Sequence, residues 1–332
     1  MNRSKLFIIL LVLAALILAS CGGAATETAA PVAEEPAAPV AEEPAAGDEF
    51  FVFLPKGLDN PYWDECRKGM EAEMAKLGVK AEFLGPAVSD ATKQVEIFET
   101  VIARKPAAIA VSPNDPNTVT ASIKKAMDLG IPVITWDADA PDSARILYIG
   151  TDNTAAGRTA GEEMAKAIGG KGKIAIINGA LTALNAKQRT DGFKEAIAKY
   201  PDIEIVADEP TEDSPDKALS ISEQLLQAHP DLVGLYGVTG VGVPGAAGAV
   251  KQANKCGQVH VGGFDVVPQG VEFMKAGCVD YLVSQRPYGM TAQALDIMVD
   301  LSNGKKPATT NVDTGVEVVY PTTLDTFLTT SH

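Results

Sequence analysis

Polar and aromatic residues gather just after the segments that read as β-strands. In the first half these are Lys56, Asn60, Tyr62 and Trp63, then Ser112 and Asn114, then Asp137 and Asp139. In the second half they are Thr182, Asn185 and Arg189, then Asp213, Thr239, Asp265 and Gln285. A small molecule with a face of C–H groups and a rim of hydroxyls needs an aromatic ring against the face. Its rim needs carboxylates that accept from hydroxyls, and Arg, Asn or Gln that donate to them. Tyr62, Trp63, Asp137, Arg189, Asp265 and Gln285 supply that chemistry. Plainer uses stand beside it: Trp63 falls on the apolar stripe of its helix, and Asp137 or Asp265 would serve as a cap for the next segment of chain.

Other chemistries are weaker. Gly240-Val241-Gly242-Val243-Pro244-Gly245 comes after a strand, with Asp265 about twenty residues on, as in a dinucleotide-binding turn. Pro244 restricts the backbone inside it, and the motif lies in the second half of the chain. Asp137 and Asp139 would make a hydrolytic pair only if the strand continued to both and an apolar surround raised one pKa. His229, His260 and His332 are scattered, which argues against a catalytic triad or a zinc site built on them. The reading is therefore of a binding protein with no enzymatic activity, no cofactor and no metal.

The elements that must position these side chains alternate. Residues 50–54 form an apolar strand, and a helix then runs from Asn60, in which Trp63, Cys66, Met70, Met74 and Leu77 recur at helical spacing. Strands at 79–84, 107–111, 131–136 and 146–149 alternate with helices at 89–104 and 116–129, the latter opened by Asp115-Pro116. From Thr154 the pattern restarts: helices at 154–168, 184–200, 215–228, 243–254 and 288–303 alternate with strands at 173–177, 203–207, 232–236, 259–264 and 279–283. Such alternation builds parallel sheets covered on both faces, and two halves of similar size make two α/β lobes. Ligands bind beyond the carboxyl ends of such strands, where the polar set lies.

Residues 1–20 begin with a short basic region containing Arg3 and Lys5 and continue as an apolar run too short for a stable membrane span. The junction Leu18-Ala19-Ser20-Cys21-Gly22 resembles the bacterial lipobox, which predicts a lipoprotein signal peptide and lipidation of Cys21. Residues 21–47 then read as a tether. Ala-Pro-Val-Ala-Glu-Glu-Pro-Ala occurs at 30–37 and again at 38–45, a composition that buries no core. The chain is expected to sit outside the cytoplasm, held by lipid on the outer face of the cell membrane. Of 332 residues 28 are basic and 43 acidic; without Arg3 and Lys5 the excess of acid grows further. That balance argues against nucleic-acid or headgroup binding. Cys256 and Cys278 each precede one of two consecutive, neighbouring parallel strands, which predicts a disulfide, whereas Cys66 reads as a small packed residue.

Six motifs fall in a recognisable order: Asn60-Pro61-Tyr62-Trp63, Ile131-Pro132-Val133-Ile134-Thr135-Trp136-Asp137, Gly150-Thr151-Asp152-Asn153, Arg189-Thr190-Asp191-Gly192-Phe193, Ala228-His229-Pro230-Asp231 and Gly263-Phe264-Asp265. From residue 50 to the end the chain resembles ribose-type periplasmic binding proteins, the receptor subunits of sugar importers driven by ATP hydrolysis. That resemblance implies two doubly wound lobes, 48–151 with 286–313 and 152–285 with 314–332. They would be joined by crossings near 151–153, 284–287 and 311–316. It implies a sugar or similar polyhydroxy ligand, an ABC permease as partner and a monomeric receptor. It carries ligand roles onto Asn60, Tyr62, Trp63, Asp137, Arg189, Asp265 and Gln285. Other positions depart from the ribose pattern: Asp213 stands in place of a second aromatic wall, Ala138 in place of arginine, Ser112 in place of asparagine, and Thr239-Gly240 in place of Asn-Asp. Phe53-Leu54-Pro55-Lys56 and Thr135-Trp136-Asp137-Ala138-Asp139 resemble instead the members that bind rhamnose or a furanosyl autoinducer. In those, Lys56, Asp137 and Asp139 would be polar contacts and the output would be uptake or sensing.

Overall fold

A computed structural model describes residues 49–330; the signal segment 1–20, Cys21 and the tether lie outside the described residues. Among these, no helix is long and apolar enough to cross a membrane.

Buried apolar runs become the inner parallel strands, while the edge strands Lys80–Phe83 and Ile203–Pro210 are more exposed. In the first sheet β1 (Phe50–Leu54), β2 (Lys80–Phe83), β3 (Ala108–Val111), β4 (Val133–Trp136) and β5 (Tyr148–Gly150) lie in the order β5-β4-β3-β1-β2. Every residue of β1, β3 and β4 is buried, as both faces of such a sheet require. In the second sheet β6 (Gly172–Asn178), β7 (Ile203–Pro210), β8 (Leu232–Gly237), β9 (His260–Phe264) and β10 (Tyr281–Ser284) run β10-β9-β8-β6-β7. Two short edge strands complete the sheets: β11 (Asn311–Asp313) lies parallel to β5, and β12 (Glu317–Val319) antiparallel to β10. The chain therefore passes between the sheets three times, after β5, after β10 and between β11 and β12.

Several helices start where a side chain replaces a missing backbone partner. Asp90 accepts from the Lys93 amide at 2.9 Å to open α2 (Ala91–Ala103). Asp115 caps α3 (Pro116–Asp128) with proline at its first turn, and Asp152 caps α4 (Asn153–Ala167). A Cys256–Cys278 disulfide, Sγ–Sγ 1.96 Å, joins the approaches to β9 and β10, while Cys66 is a fully buried thiol on α1 (Tyr62–Leu77). The short strands β11 and β12 and the last helix, α10 (Leu324–Thr330), carry no periodic signal of their own. Pairing with β5 and β10 defines the strands.

One helix contact bears directly on function. Against α4, α5 (Leu184–Ile197) packs backbone to backbone: a Cβ at Gly157 would stand 2.2 Å from the Arg189 carbonyl oxygen, and one at Gly192 only 2.1 Å from that of Thr154. Glycine is required at both contacts, and the close approach fixes where Arg189 and Asn153 emerge.

Candidate ligand-binding site

The loops at the carboxyl ends of both sheets meet over a cleft. On the first lobe, the turn after β1 carries Lys56 inward, and Gln94 on α2 supports it. Gln94 donates to the carbonyls of Pro55 (2.9 Å) and Ser112 (2.7 Å) and accepts from the Asn114 amide; Asn114 in turn donates to the Lys56 carbonyl at 2.8 Å. Gln94 is wholly buried, and a glutamine on the inner face of an otherwise apolar helix stripe is the one sequence signal of this support. Asp137 stands at the end of β4, 3 % exposed, and accepts from Ser112 Oγ at 2.7 Å. Its φ of 64° turns the chain sharply and tips the carboxylate into the cleft.

Trp63 has two roles. It packs in an aromatic cluster with Trp136 (ring centroids 5.4 Å apart) and Phe83, and it also lines the cleft beside Tyr62. Asn60 accepts from the Tyr62 amide at 3.1 Å, so it shapes the start of α1 while facing the second lobe.

Arg189 organises the second lobe. It is 1 % exposed; Nε donates to Asn153 Oδ1 at 2.8 Å, Nη1 to the Val238 carbonyl at 3.1 Å and Nη2 to Gln285 Oε1, and the guanidinium lies over the Phe264 ring at 4.1 Å. Gln285 Nε2 then donates to Asp265 Oδ1 at 2.6 Å. Asp265, like Asp137, has a left-handed backbone, φ 75°. Asp213 and Thr239 line the same wall.

The lobes touch across the cleft. Lys56 Nζ donates to Asn185 Oδ1 at 2.6 Å, Thr182 Oγ1 donates to the Asn114 carbonyl at 3.2 Å, and Gly240 lies against Asn60, where a Cβ would come within 2.8 Å of Oδ1. This is a closed arrangement. Burial lowers the Lys56 pKa, opposed by the Asp137 carboxylate 3.9 Å away and by Asp213. Burial also pushes Asp265 up to about 6, against the pull of Arg189 and the Gln285 hydrogen bond.

Of the residues singled out from the sequence, Lys56, Asn60, Tyr62, Trp63, Asp137, Asn185, Arg189, Asp213, Thr239, Asp265 and Gln285 line this cleft, joined by Asp59 and Ser89. Asp139 does not. It accepts from Thr135 Oγ1 and the Ala140 amide and pairs with Arg145, whose Nη2 is 2.6 Å from Oδ2. The left-handed turn at Asp137 ends the strand alternation, so Asp137 and Asp139 are not a facing pair. The glycines of 240–245 are also accounted for by packing. Gly242 abuts Gly237 of β8, Gly245 abuts Ala218, and Gly240 abuts Asn60, which leaves no open turn for a dinucleotide. Among the described residues no group of His, Cys, Asp and Glu could hold a metal ion.

Two α/β lobes hinged by three crossings around a polar, aromatic-walled cleft define a class of two-lobed solute receptors. Residues 51–306 match the model of the periplasmic binding protein domain, and the chain belongs to that family, in its ribose-type branch. It is 30% identical over 270 residues to the D-allose-binding periplasmic protein of Escherichia coli, covering 79% of this chain and 86% of that one. Among solved structures it is similar to an ABC transporter solute-binding protein from Burkholderia graminis in complex with D-arabinose. That match has a TM-score of 0.80 and 37% identity over 84% of this chain and 98% of the other. It is also similar to a glucose-galactose binding protein from Geobacillus stearothermophilus, with a TM-score of 0.79 and 32% identity over 83% and 99%.

Proposed function

We propose that this chain is a lipid-anchored, extracytoplasmic, monomeric receptor that closes around one monosaccharide and presents the closed form to an ABC-type permease. The observation that carries the reading is the cleft itself. Carboxylates from both lobes, a buried guanidinium and an indole converge where the lobes meet, the set a polyhydroxy ring with a C–H face requires. The named ligands of similar proteins, allose, arabinose, glucose and galactose, are of that class. The proteins it matches are sugar-binding transport proteins, in keeping with a chain that binds rather than transforms its ligand. A ligand touching Asp137 on one lobe and Arg189 or Asp265 on the other stabilises the closed state alone, and closure becomes the signal.

Two tryptophans are present, and Trp63 lines the cleft. Titration with a bound sugar is therefore expected to change the intrinsic fluorescence saturably, and Trp63→Phe to remove most of the change. Fluorescence that stays constant while sugar binds would contradict the placement of the ligand.

The raised pKa of Asp265 has two consequences of opposite sign. Between its ordinary value of 3.8 and about 6 the native state holds a proton that the unfolded chain has released. This group's contribution to stability is thus full below 3.8 and lost as the pH rises through about 6. A sugar hydroxyl that donates to the carboxylate favours the ionised form. Sugar affinity is expected to weaken as the pH is lowered from about 7 to 5, approaching tenfold per unit once below the pKa. A dissociation constant unchanged across that range would exclude an ionised Asp265 from the contact.

For the anchor, Cys21→Ser is expected to move the protein from the detergent-rich to the aqueous phase in Triton partitioning, since two acyl chains hold a protein durably. An unaltered partition would exclude Cys21 as the lipid site.

A further inference from the structure

Of the four carboxylates that line the cleft, three besides Asp59 stand on a residue whose backbone is left-handed: Asp137 at φ 64°, Asp213 at φ 57° and Asp265 at φ 75°. L-residues seldom adopt this region, and such strain gathers at binding sites. Two of the three have partners, Asp137 receiving Ser112 Oγ and Asp265 receiving Gln285 Nε2. Asp213 differs. It is 6 % exposed, its Oδ1 has no hydrogen-bond partner, and the residue before it, Glu212, is left-handed as well at φ 53°.

The hydroxyl of Thr239, 8 % exposed, is likewise buried without a partner. Thr239 and Asp213 flank one glycine: a Cβ at Gly179 would lie 2.8 Å from the Thr239 methyl and 3.1 Å from Asp213 Oδ1. The hydrogen bonds of the nearby cations go elsewhere, those of Arg189 to three neutral acceptors and that of Lys56 to Asn185. Buried polar atoms are almost always paired, and two adjacent exceptions on the wall of a cleft mark where a ligand completes the bonding.

We propose that Asp213 and Thr239, set apart by Gly179, form a reading point on the second-lobe wall. The pair selects a sugar carrying a hydroxyl that donates to Asp213 and rejects one that presents a carboxylate or phosphate there. A hydroxyl satisfies both orphan oxygens because it donates and accepts, whereas an ionised carboxylate or phosphate has no proton to donate to the buried Asp213 oxygen. This rests on the sugar-receptor reading.

The experiment is a cycle between protein variant and ligand, by isothermal titration on the full chain. A sugar that binds the wild type is compared with its series of singly deoxygenated analogues, on wild type, Asp213→Asn and Thr239→Val. Asparagine tolerates the left-handed backbone and keeps Asp213→Asn folded, checked by its melting temperature. One analogue is expected to lose roughly ten- to a hundredfold against wild type, as a charge-assisted hydrogen bond implies, and little further against Asp213→Asn. Equal losses for every analogue on wild type and Asp213→Asn would overturn the reading point while leaving the sugar receptor intact. Unchanged affinity of Asp213→Asn for the parent sugar would do the same. If no sugar binds the wild type, the receptor reading fails, and this inference with it.

Discussion

Asp265→Ala is expected to reduce sugar affinity by at least about a hundredfold and to leave the fold intact. The carboxylate is 4 % exposed, held by Gln285 Nε2 at 2.6 Å and aimed into the cleft by its left-handed backbone. Each charge-assisted hydrogen bond it makes to a ligand hydroxyl is worth roughly 1.5–3 kcal/mol, and an ionised carboxylate can accept two such donors. Stability responds differently. The carboxylate is buried at a cost, as its pKa of about 6 records, so its removal relieves desolvation while leaving only the Gln285 amide short of an acceptor. Titration calorimetry beside a thermal melt separates the two effects. Affinity within a few-fold of wild type would remove Asp265 from the binding set, and a collapsed melt would show it to be structural.

Arg189→Ala should cost both stability and binding. The guanidinium satisfies Asn153 Oδ1, the Val238 carbonyl and Gln285 Oε1 and covers the Phe264 ring, all in the interior of the second lobe. Truncation strands three buried acceptors and leaves a cavity. Breaking a buried charged network in this way is destabilising by about 3–5 kcal/mol. Gln285, which orients Asp265, loses its anchor in the same step, so binding falls even in the molecules that remain folded. Urea unfolding is the measurement; a midpoint close to wild type would mean that water replaces the guanidinium at all three acceptors.

Most of the fold is legible in the chain, because the inner strands are short buried apolar runs and several helices open on a capping side chain or a proline. Asp115-Pro116 and Ser214-Pro215 mark helix starts by chemistry alone. The illegible parts depend on partners remote in sequence: β11 and β12, three residues each, exist because β5 and β10 offer them open edges. The site divides in the same way. Residues just after strands are readable as a set, since parallel sheets present those positions together. Asp139 misleads because continued alternation past Trp136 would place it beside Asp137, whereas the positive φ at Asp137 ends the alternation and delivers Asp139 to Arg145. Asn185 stands just after a strand too, but its bond to Lys56 spans 129 residues and both lobes. No local pattern encodes that pairing. Gln94 likewise acts only through the loops that fold back onto it.

The central claim, that this cleft receives a small polyhydroxy ligand, is most directly tested by a thermal-shift screen of the wild-type chain over pentoses, hexoses, deoxysugars, polyols and a furanosyl autoinducer. A ligand present at about 100 times its dissociation constant adds roughly 2.7 kcal/mol to the folded state, enough to raise the melting temperature by several degrees in a body of this size. The expected result is a rise confined to one sugar or a few close stereoisomers. A flat response across the whole panel would contradict the claim.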